Sequence, residues 1–236
     1  MTDPAVALFG TSQVQPQTVL LQAGTVSAVL ESGGLRWIRY DGVEVLRAIA
    51  FLVRDAAWGT AESIIDDLRV EHTDQGFSVG FSARAQTSTG MLPWRATISG
   101  DATGRVHFEG TAAPQGDFTT NRTGFVVLHP LAGVAGERVT VTSIDGSERE
   151  TRFPFFVDPE PCFTDVRALR HRVAGDVWAL CEMQGDDGWE TEDHRNWLDA
   201  SFKTYVRPLR LPYPYTLKRG TKQTQSVTLS LSLIHI

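Results

Sequence analysis

The sequence has few cysteines, no long apolar run and no excess of basic residues. Its 236 residues include only two cysteines, Cys162 and Cys181, which are too few for a disulfide framework and are not spaced like metal ligands. No apolar run approaches the roughly 18 residues that a membrane span requires, and the first ten residues lack the basic start and apolar run of a signal peptide. We therefore expect no membrane association and a cytoplasmic location.

The charge balance excludes one large class of partner. The net charge is -6 and the isoelectric point is about 5.5, and no basic stripe runs through the chain. Because nucleic-acid binding depends on clustered lysines and arginines that neutralise phosphates, we expect no nucleic-acid partner.

Turn residues recur about every 8 to 12 positions between short alternating runs, as in antiparallel sandwiches and barrels. One example is the run at residues 35–40, which is followed by Asp41-Gly42 and a partner run at residues 43–53, although that partner also has helical spacing. No long amphipathic helix supports a βαβ unit. The pattern predicts an all-β fold, a large antiparallel two-sheet sandwich, or its extended form, the supersandwich of sugar mutarotase-like domains.

The pattern also suggests how the chain is divided. Residues 1–18 lack sustained periodicity and are interpreted as an N-terminal arm, and residues 19–231 form the predicted β-sandwich domain. Residues 232–236 fit the preceding strand pattern poorly, so we expect this tail to be foreign to the native protein.

The segment at residues 189–208 is the densest polar stretch of the sequence. Between Glu190 and Asn196 it holds three carboxylates, a histidine, an arginine and an amide, with large aromatic residues nearby. Unpaired charges are costly to bury, so such a stretch predicts either a cleft or an internally paired cluster. In an extended chain Glu190, Glu192, His194 and Asn196 would share one face.

A second stretch combines a buried strand with polar ends. Residues 125–128 are apolar on both faces, which predicts a central strand, and Gly124 suggests a bulge or a close backbone approach. Asn121 and Arg122 precede this strand and His129 follows it, and the ends of buried strands are where binding sites often lie.

Three segments resemble the bacterial D-apionate lactonase family. They are TNRTGFVVLHP at residues 120–130, EDHRNWLDASFKTY at residues 192–205 and GVEVLRAIAFLVRD at residues 42–55, and the likeness extends over roughly residues 5–230. The resemblance implies an N-terminal β domain of a longer protein that opens a small sugar-acid lactone with water. It also implies, as a partner, a missing C-terminal domain of the same chain. It carries no catalytic assignment, and its members usually have glutamine at the position of His194.

Lactone opening needs a base for water and donors for the oxyanion. The candidate catalytic residues are Glu192, Asp193 and His129. The candidate substrate-binding residues are Asn121, Arg122, His194, Arg195, Asn196 and Lys203. In the competing interpretation the arginines pair with nearby acids and only hold the loops.

Two further questions stay open on the sequence. A metal site would need His129, Glu192 and His194 to converge without any close-spaced motif, so we expect no metal and no cofactor. The aromatic residues near the polar stretch are interpreted first as core or domain-interface residues and second as a sugar-stacking surface.

Two rival functions remain beside the lactone hydrolase. One is a sandwich that only braces a catalytic barrel, and the other is a mutarotase-like isomerase.

Overall fold

The computed structural model describes residues 4–14, 16–174, 176–185 and 187–233, and nearly all of its regular structure is β. Parts of the predicted arm (1–3 and 15) and of the predicted tail (234–236) lie outside the described residues. The two helical elements are short: α1 at Pro4–Phe9 and a 3-10 helix at His194–Trp197. No described helix is long and apolar enough to span a lipid bilayer.

The strands follow one another with short connections, as the turn pattern predicts. In chain order they are β1 Thr18–Ala23, β2 Val26–Glu31, β3 Gly34–Tyr40, β4 Val43–Arg54, β5 Thr60–Ala61, β6 Ser63–Thr73, β7 Gly76–Thr87, β8 Gly90–Asp101, β9 Arg105–Ala112, β10 Phe118–Thr120, β11 Arg122–Pro130, β12 Arg138–Ser143, β13 Glu148–Arg152, β14 Phe163–Ala174, β15 Val177–Gln184, β16 Trp189–Asp193, β17 Ser201–Tyr205, β18 Tyr215–Leu217 and β19 Gln223–Ser232.

All the strand pairs with a defined register are antiparallel, which confirms the predicted class. One run of paired strands joins β1, β2, β3, β4, β11, β17 and β16, and the last of these pairs with β14. A second run continues from β14 through β15, β19, β9, β8 and β7 to β6. A small separate sheet pairs β10 with β18.

Aromatic side chains fill the space where the two runs pack face to face. Phe51 of β4 stacks on Trp94 of β8 with ring centroids 4.6 Å apart, and Phe125 of β11 meets Phe108 of β9 at 4.8 Å. Each ring removes on the order of 150 to 250 Å² from water, so these contacts hold the two layers of the sandwich together.

The turn at Asp41-Gly42 fixes the register of β3 and β4. Asp41 and Gly42 both have positive φ, 49° and 77°, as the tightest hairpin turns require. Tyr40 therefore pairs with Val43, and β4 continues as a strand of 12 residues. The helical alternative for this segment is wrong, because the segment pairs in antiparallel register with β3 on one side and with β11 on the other.

The apolar run at residues 125–128 lies in a central strand, as its composition predicts. β11 pairs with β4 on one side and with β17 on the other. Gly124 adopts a φ of 149°, and a Cβ there would lie 2.4 Å from the side chains of Gln225 and Val206. The predicted close approach at Gly124 is confirmed, and only glycine fits it.

Candidate active site

A cavity of about 470 Å³ opens on the outer face of the layer that contains β4, β11, β17 and β16. Its lining combines charged and aromatic side chains from the strands and from the loops beside them: Arg54, Trp58, Arg122, Glu192, His194, Trp197, Lys203, Leu209 and Tyr213. Its volume is in the range that small-molecule sites occupy.

Strand register brings the two polar stretches of the sequence together here. Arg122 lies opposite Arg54 across the β11–β4 pair, and Glu192 lies opposite Lys203 across the β16–β17 pair. Because side chains alternate along a strand, Lys203 faces the cavity while its neighbours Phe202 and Thr204 face the core. The cavity is thus built from three distant parts of the chain, the ends of β4 and β11 and the segment that contains β16 and β17.

Lys203 is the centre of the polar lining. Its Nζ lies 2.6 Å from Oε1 of Glu192 and 3.4 Å from Nε2 of His194. The ammonium group can only donate hydrogen bonds, so Nε2 of His194 accepts and the neutral ring carries its proton on Nδ1. Burial lowers the pKa of Lys203 although Glu192 opposes that shift, and Arg122 and Arg54 lower it further.

His194 is held neutral by its surroundings. Burial lowers its pKa first, and the charge of Lys203 lowers it again, while Glu192 and Asp199 act in the opposite direction. Its Nδ1 lies 3.7 Å from a carboxylate oxygen of Asp199 and has no hydrogen-bond partner among the residues that the structure describes. At neutral pH the ring is therefore a polar, uncharged part of the cavity wall.

Arg122 is a buried cation, with 6% of the residue exposed. Its guanidinium carbon lies 3.8 Å from the ring centroid of Tyr205 and 5.4 Å from that of Trp58. Burial lowers its pKa, and the nearby Tyr205 and Glu192 only partly oppose that shift. Stacking of this kind stabilises a guanidinium without neutralising its charge.

A second cavity of about 590 Å³ adjoins the first and shares Glu192, Trp197 and Leu209 with it. At its floor the hydroxyl of Tyr205 donates a hydrogen bond to Oε1 of Glu190. Burial and this carboxylate raise the pKa of Tyr205, so the phenol stays protonated. Glu190 and Glu192 share one face of the strand, as predicted for an extended chain. The strand ends at Asp193, which caps the 3-10 helix at His194–Trp197.

Three of the predicted site residues form a clamp on a neighbouring loop instead of lining the first cavity. Asp193 makes a two-pronged ion pair with Arg195 at 2.8 and 2.6 Å. The guanidinium of Arg195 also donates to the backbone carbonyls of residues 154–156. Asn196 donates its amide hydrogens to the carbonyls of Asp158 and Asp193. These contacts match the interpretation in which paired charges hold the loops.

The protonation state of Asp193 follows from those contacts. Burial alone would raise its pKa, but the hydrogen bonds from Arg195 and from the backbone N–H of Asp158 hold the pKa below its ordinary value. A carboxylate with so many donors is a weak base. The expectation that Asp193 activates water is therefore corrected: its side chain is committed to the loop and to the start of the 3-10 helix.

His129 lies on the core side of β11 and away from the cavity. The residue is fully buried, its Nε2 lies 2.9 Å from Oγ1 of Thr204, and its ring packs against Phe153 and His171. Burial lowers its pKa to about 3, and the adjacent His171 contributes to the shift. The expectation of a catalytic His129 is corrected, because strand alternation turns this side chain inward.

Asn121 precedes β11 and is also buried, with 5% exposure, and its Oδ1 has no hydrogen-bond partner among the described residues. It lines neither cavity. The cavity instead contains five residues that sequence reasoning did not single out as site candidates: Arg54, Trp58, Trp197, Leu209 and Tyr213. Trp197 and Tyr213 belong to the aromatic residues near the polar stretch, which the sequence analysis interprets first as core or domain-interface residues. Arg54 gives no signal in the sequence, because its strand is predicted only as the hairpin partner of residues 35–40.

Metal binding has no support from the arrangement of ligands. Among the described residues, no group of three or more His, Cys, Asp or Glu side chains is placed to hold a metal ion. His129 faces the core, whereas Glu192 and His194 face the cavity, so the three residues considered on the sequence do not converge.

Comparison with solved structures shows which fold this is. A galactose mutarotase-like protein from Lactobacillus casei aligns over 92% of this chain and 100% of its own, with a TM-score of 0.60 at 10% identity. A galactose 1-epimerase from Lactobacillus acidophilus aligns over 91% of this chain and 94% of its own, with a TM-score of 0.57 at 9% identity. The fold is therefore mutarotase-like, and at this level of identity the likeness shows the fold alone.

Sequence comparison is more specific. A D-apionate lactonase from Brucella anthropi is 44% identical over 226 residues, which is 95% of this chain but only 37% of that protein. Residues 6–233 match the family of D-apionate lactonase N-terminal domains. The chain belongs to this family.

Proposed function

We propose that this chain is the N-terminal part of a longer lactone hydrolase, and that its cavity of about 470 Å³ binds a sugar-acid lactone and opens the ring with water. The observation that carries the proposal is the convergence of one carboxylate, Glu192, with three cationic side chains, Arg54, Arg122 and Lys203, at the wall of one open cavity. The name of the related D-apionate lactonase points to the same chemistry and to a branched sugar acid as the substrate class.

The proposed reaction uses groups that lie within reach of one another. The carboxylate of Glu192 takes a proton from a water molecule, and the water oxygen forms a bond to the lactone carbonyl carbon. The ammonium of Lys203, 2.6 Å from Glu192, stabilises the oxyanion of the tetrahedral intermediate. Collapse of the intermediate breaks the bond to the ring oxygen, and that oxygen takes up the proton from Glu192. The product is the open hydroxy acid, whose carboxyl group keeps the second water proton and then releases it to solvent at neutral pH to give the carboxylate.

The aromatic rim supplies a second kind of contact. Trp58 and Tyr213 lie edge to face, with ring centroids 5.1 Å apart, and Trp197 has 72% of its surface exposed. The apolar faces of sugar rings stack on such side chains, so the rim is suited to hold one face of a carbohydrate ligand. Polar hydroxyls would then meet the cationic wall below.

We further propose that the rest of the longer protein packs over the rim of this cavity. The loop held by Arg195 exposes Phe155, Phe156 and Val157, with 68%, 81% and 53% of their surfaces accessible, and Leu198 next to Trp197 is 99% exposed. Adjacent exposed apolar side chains of this kind mark interaction surfaces. The related lactonase is much longer than this chain, which makes its remaining part the natural occupant.

The two rival functions fit the geometry less well. A sandwich that only braces another domain predicts a closed polar stretch in which every charge is paired, but Arg54 and Arg122 line an open cavity and form no ion pair with the described residues. A mutarotase-like isomerase predicts that Asn121, Arg122, His129 and an acid meet around one sugar, but His129 points into the core.

The proposal is tested with Glu192→Gln in the full-length protein that contains this chain. We expect the turnover of D-apionate lactone to fall about 100-fold or more, because the variant keeps the shape of the side chain but loses the base. The measurement is the initial rate of acid release at constant pH. Asp66→Asn is the matched control, because Asp66 pairs with Arg84 on the surface and lies outside the cavity.

Unchanged turnover in Glu192→Gln, with binding of the lactone retained, would move the chemistry to another part of the protein. If this variant fails to fold, Glu192→Asp keeps the charge and its pairing with Lys203 but displaces the carboxylate by one methylene. That variant should still lose turnover by at least tenfold, because a base out of reach of its water is ineffective.

A further inference from the structure

We propose that Arg122 and Arg54 form a carboxylate subsite that holds the ring-opened sugar acid, so that the cavity binds the acid more tightly than the uncharged lactone. The inference rests on the proposed function, because ring opening is what creates the carboxylate. The inference names the ligand group, a carboxylate. It also assigns a role to Arg122 and Arg54, which take no part in the proposed hydrolytic step.

The first argument is the missing counter-charge. Within the part of the chain that the structure describes, neither Arg122 nor Arg54 forms an ion pair with a carboxylate. Nε of Arg122 is buried and has no hydrogen-bond partner in the described ranges. The guanidinium has a hydrogen bond with Tyr205, but a neutral phenol supplies no counter-charge, and a buried cation with an unpartnered donor is costly in free energy unless a ligand satisfies it. By contrast, Lys203 already has Glu192 as its partner.

The second argument is the pairing of the two arginines. They lie directly opposite each other on β11 and β4, and like charges in that position repel. Both line the same cavity. The Nη1 group of Arg54 donates a hydrogen bond to the carbonyl of Trp58 at 3.1 Å, which fixes the arginine side chain at the rim. An anion between the two guanidinium groups would remove the repulsion and use the remaining donors.

The third argument selects the kind of anion. The cavity lining carries three cations and one carboxylate. Since Lys203 and Glu192 compensate each other, the two arginines remain. A carboxylate accepts two parallel hydrogen bonds from a guanidinium fork, and the stacking of Arg122 on Tyr205 holds that fork in one plane. In the proposed reaction the carboxylate of the product forms beside Lys203, which lines the same cavity as the two arginines.

Calorimetric titration of the full-length protein at pH 7 tests the subsite. The probes are D-apionate, the corresponding uncharged alditol and inorganic phosphate. We expect D-apionate to bind at least tenfold more tightly than the alditol, and Arg122→Gln to weaken D-apionate binding by about tenfold to 100-fold while leaving alditol binding within threefold. Arg122→Lys should recover only part of the loss, because an ammonium lacks the planar fork.

Arg36→Gln is the matched control variant. Arg36 is also stacked on an aromatic ring, with its guanidinium carbon 5.4 Å from the centroid of Trp37, and its buried Nε has no hydrogen-bond partner in the described part of the chain. It lies outside the cavity lining. It should bind D-apionate like the unchanged protein. If Arg122→Gln does not fold, Arg54→Gln at the more accessible rim should still weaken acid binding at least fivefold.

Two outcomes would overturn the inference: equal affinity for the acid and the alditol, or binding of inorganic phosphate as tight as that of D-apionate. Either could occur while Glu192→Gln still abolishes turnover, in which case the proposed function stands and only the carboxylate subsite fails. Conversely, acid binding that depends on Arg122 together with unchanged turnover in Glu192→Gln would keep the subsite and reject the proposed catalytic role.

Discussion

Glu192 and Asp193 are neighbours in the chain, yet they belong to two regions with opposite electrostatic character. Glu192 belongs to the cavity group, which we define as Arg54, Arg122, Glu192, His194 and Lys203. Asp193 belongs to the loop clamp, which consists of Asp193, Arg195 and Asn196. In the clamp each polar group has partners within hydrogen-bond distance. In the cavity group the cations outnumber the carboxylate.

This difference teaches how one polar stretch can serve two purposes. Full pairing minimises the free energy of a buried charge, so the clamp contributes to the stability of the fold. Incomplete pairing costs stability and leaves donors free for a ligand, so the cavity group is suited to binding. A count of charges in the sequence cannot separate the two, because the clamp and three of the five cavity-group residues, Glu192, His194 and Lys203, come from the same segment.

The largest expected effect concerns His129 of β11 and His171 of β14, two histidines that are buried in the core. Burial holds the pKa of His129 at about 3 and that of His171 at about 4, whereas both would titrate near 6.5 in the unfolded chain. As pH falls below 6.5 the unfolded state takes up protons and the folded state does not, so stability is lost. Between pH 6.5 and pH 5 the free energy of unfolding should fall by about 2 kcal/mol per histidine.

Urea unfolding at several pH values measures this loss. The control is His129→Gln, which should lower stability at pH 7 but reduce the dependence on pH in this window by about half. A flat profile between pH 6.5 and pH 5 would mean that these histidines are accessible to protons in the folded state. In that case the division between core and cavity histidines would be incorrect.

The next effect separates the clamp from an ordinary surface ion pair. Asp193→Ala should lower the free energy of unfolding by about 3 kcal/mol, because Arg195 would stay partly buried without its counter-charge and the loop would lose its anchor. The measurement is urea unfolding at pH 7. Asp66→Ala, which breaks an exposed pair with Arg84, should cost less than about 1 kcal/mol. Equal losses in the two variants would show that the clamp is not a stabilising element.

The smallest expected effect concerns the exposed edge of the clamped loop. Phe156→Ser should lower the melting temperature of the full-length protein by a few degrees, because about 1 to 2 kcal/mol of apolar burial against the remaining domain would be lost. Leu20→Ser is the control, since Leu20 is 63% exposed on β1 and lies outside the loop. If the two variants melt alike, the loop does not contact the rest of the protein.

Several features could be predicted from the sequence because they depend on local patterns. The Asp41-Gly42 turn, the central strand at residues 125–128 and the close approach at Gly124 all follow from residue type and alternation. The two polar stretches could also be recognised in the sequence, but residue type did not separate Arg122, Glu192, His194 and Lys203, which line the cavity, from the five other candidates, which do not. Trp58 and Tyr213 gave no comparable signal, because loop residues reach a site only through the path of the chain in three dimensions.

Residue order alone determined the all-β class, the positions of the main strands and the family, since periodicity, turn chemistry and shared motifs are properties of the linear chain. The tertiary structure decided which polar residues work together. Strand alternation and strand pairing turned His129 into the core, drew Asp193 and Arg195 to a loop, and set Arg54 opposite Arg122. Those outcomes depend on register between distant segments, where a shift by one residue reverses the face of every side chain.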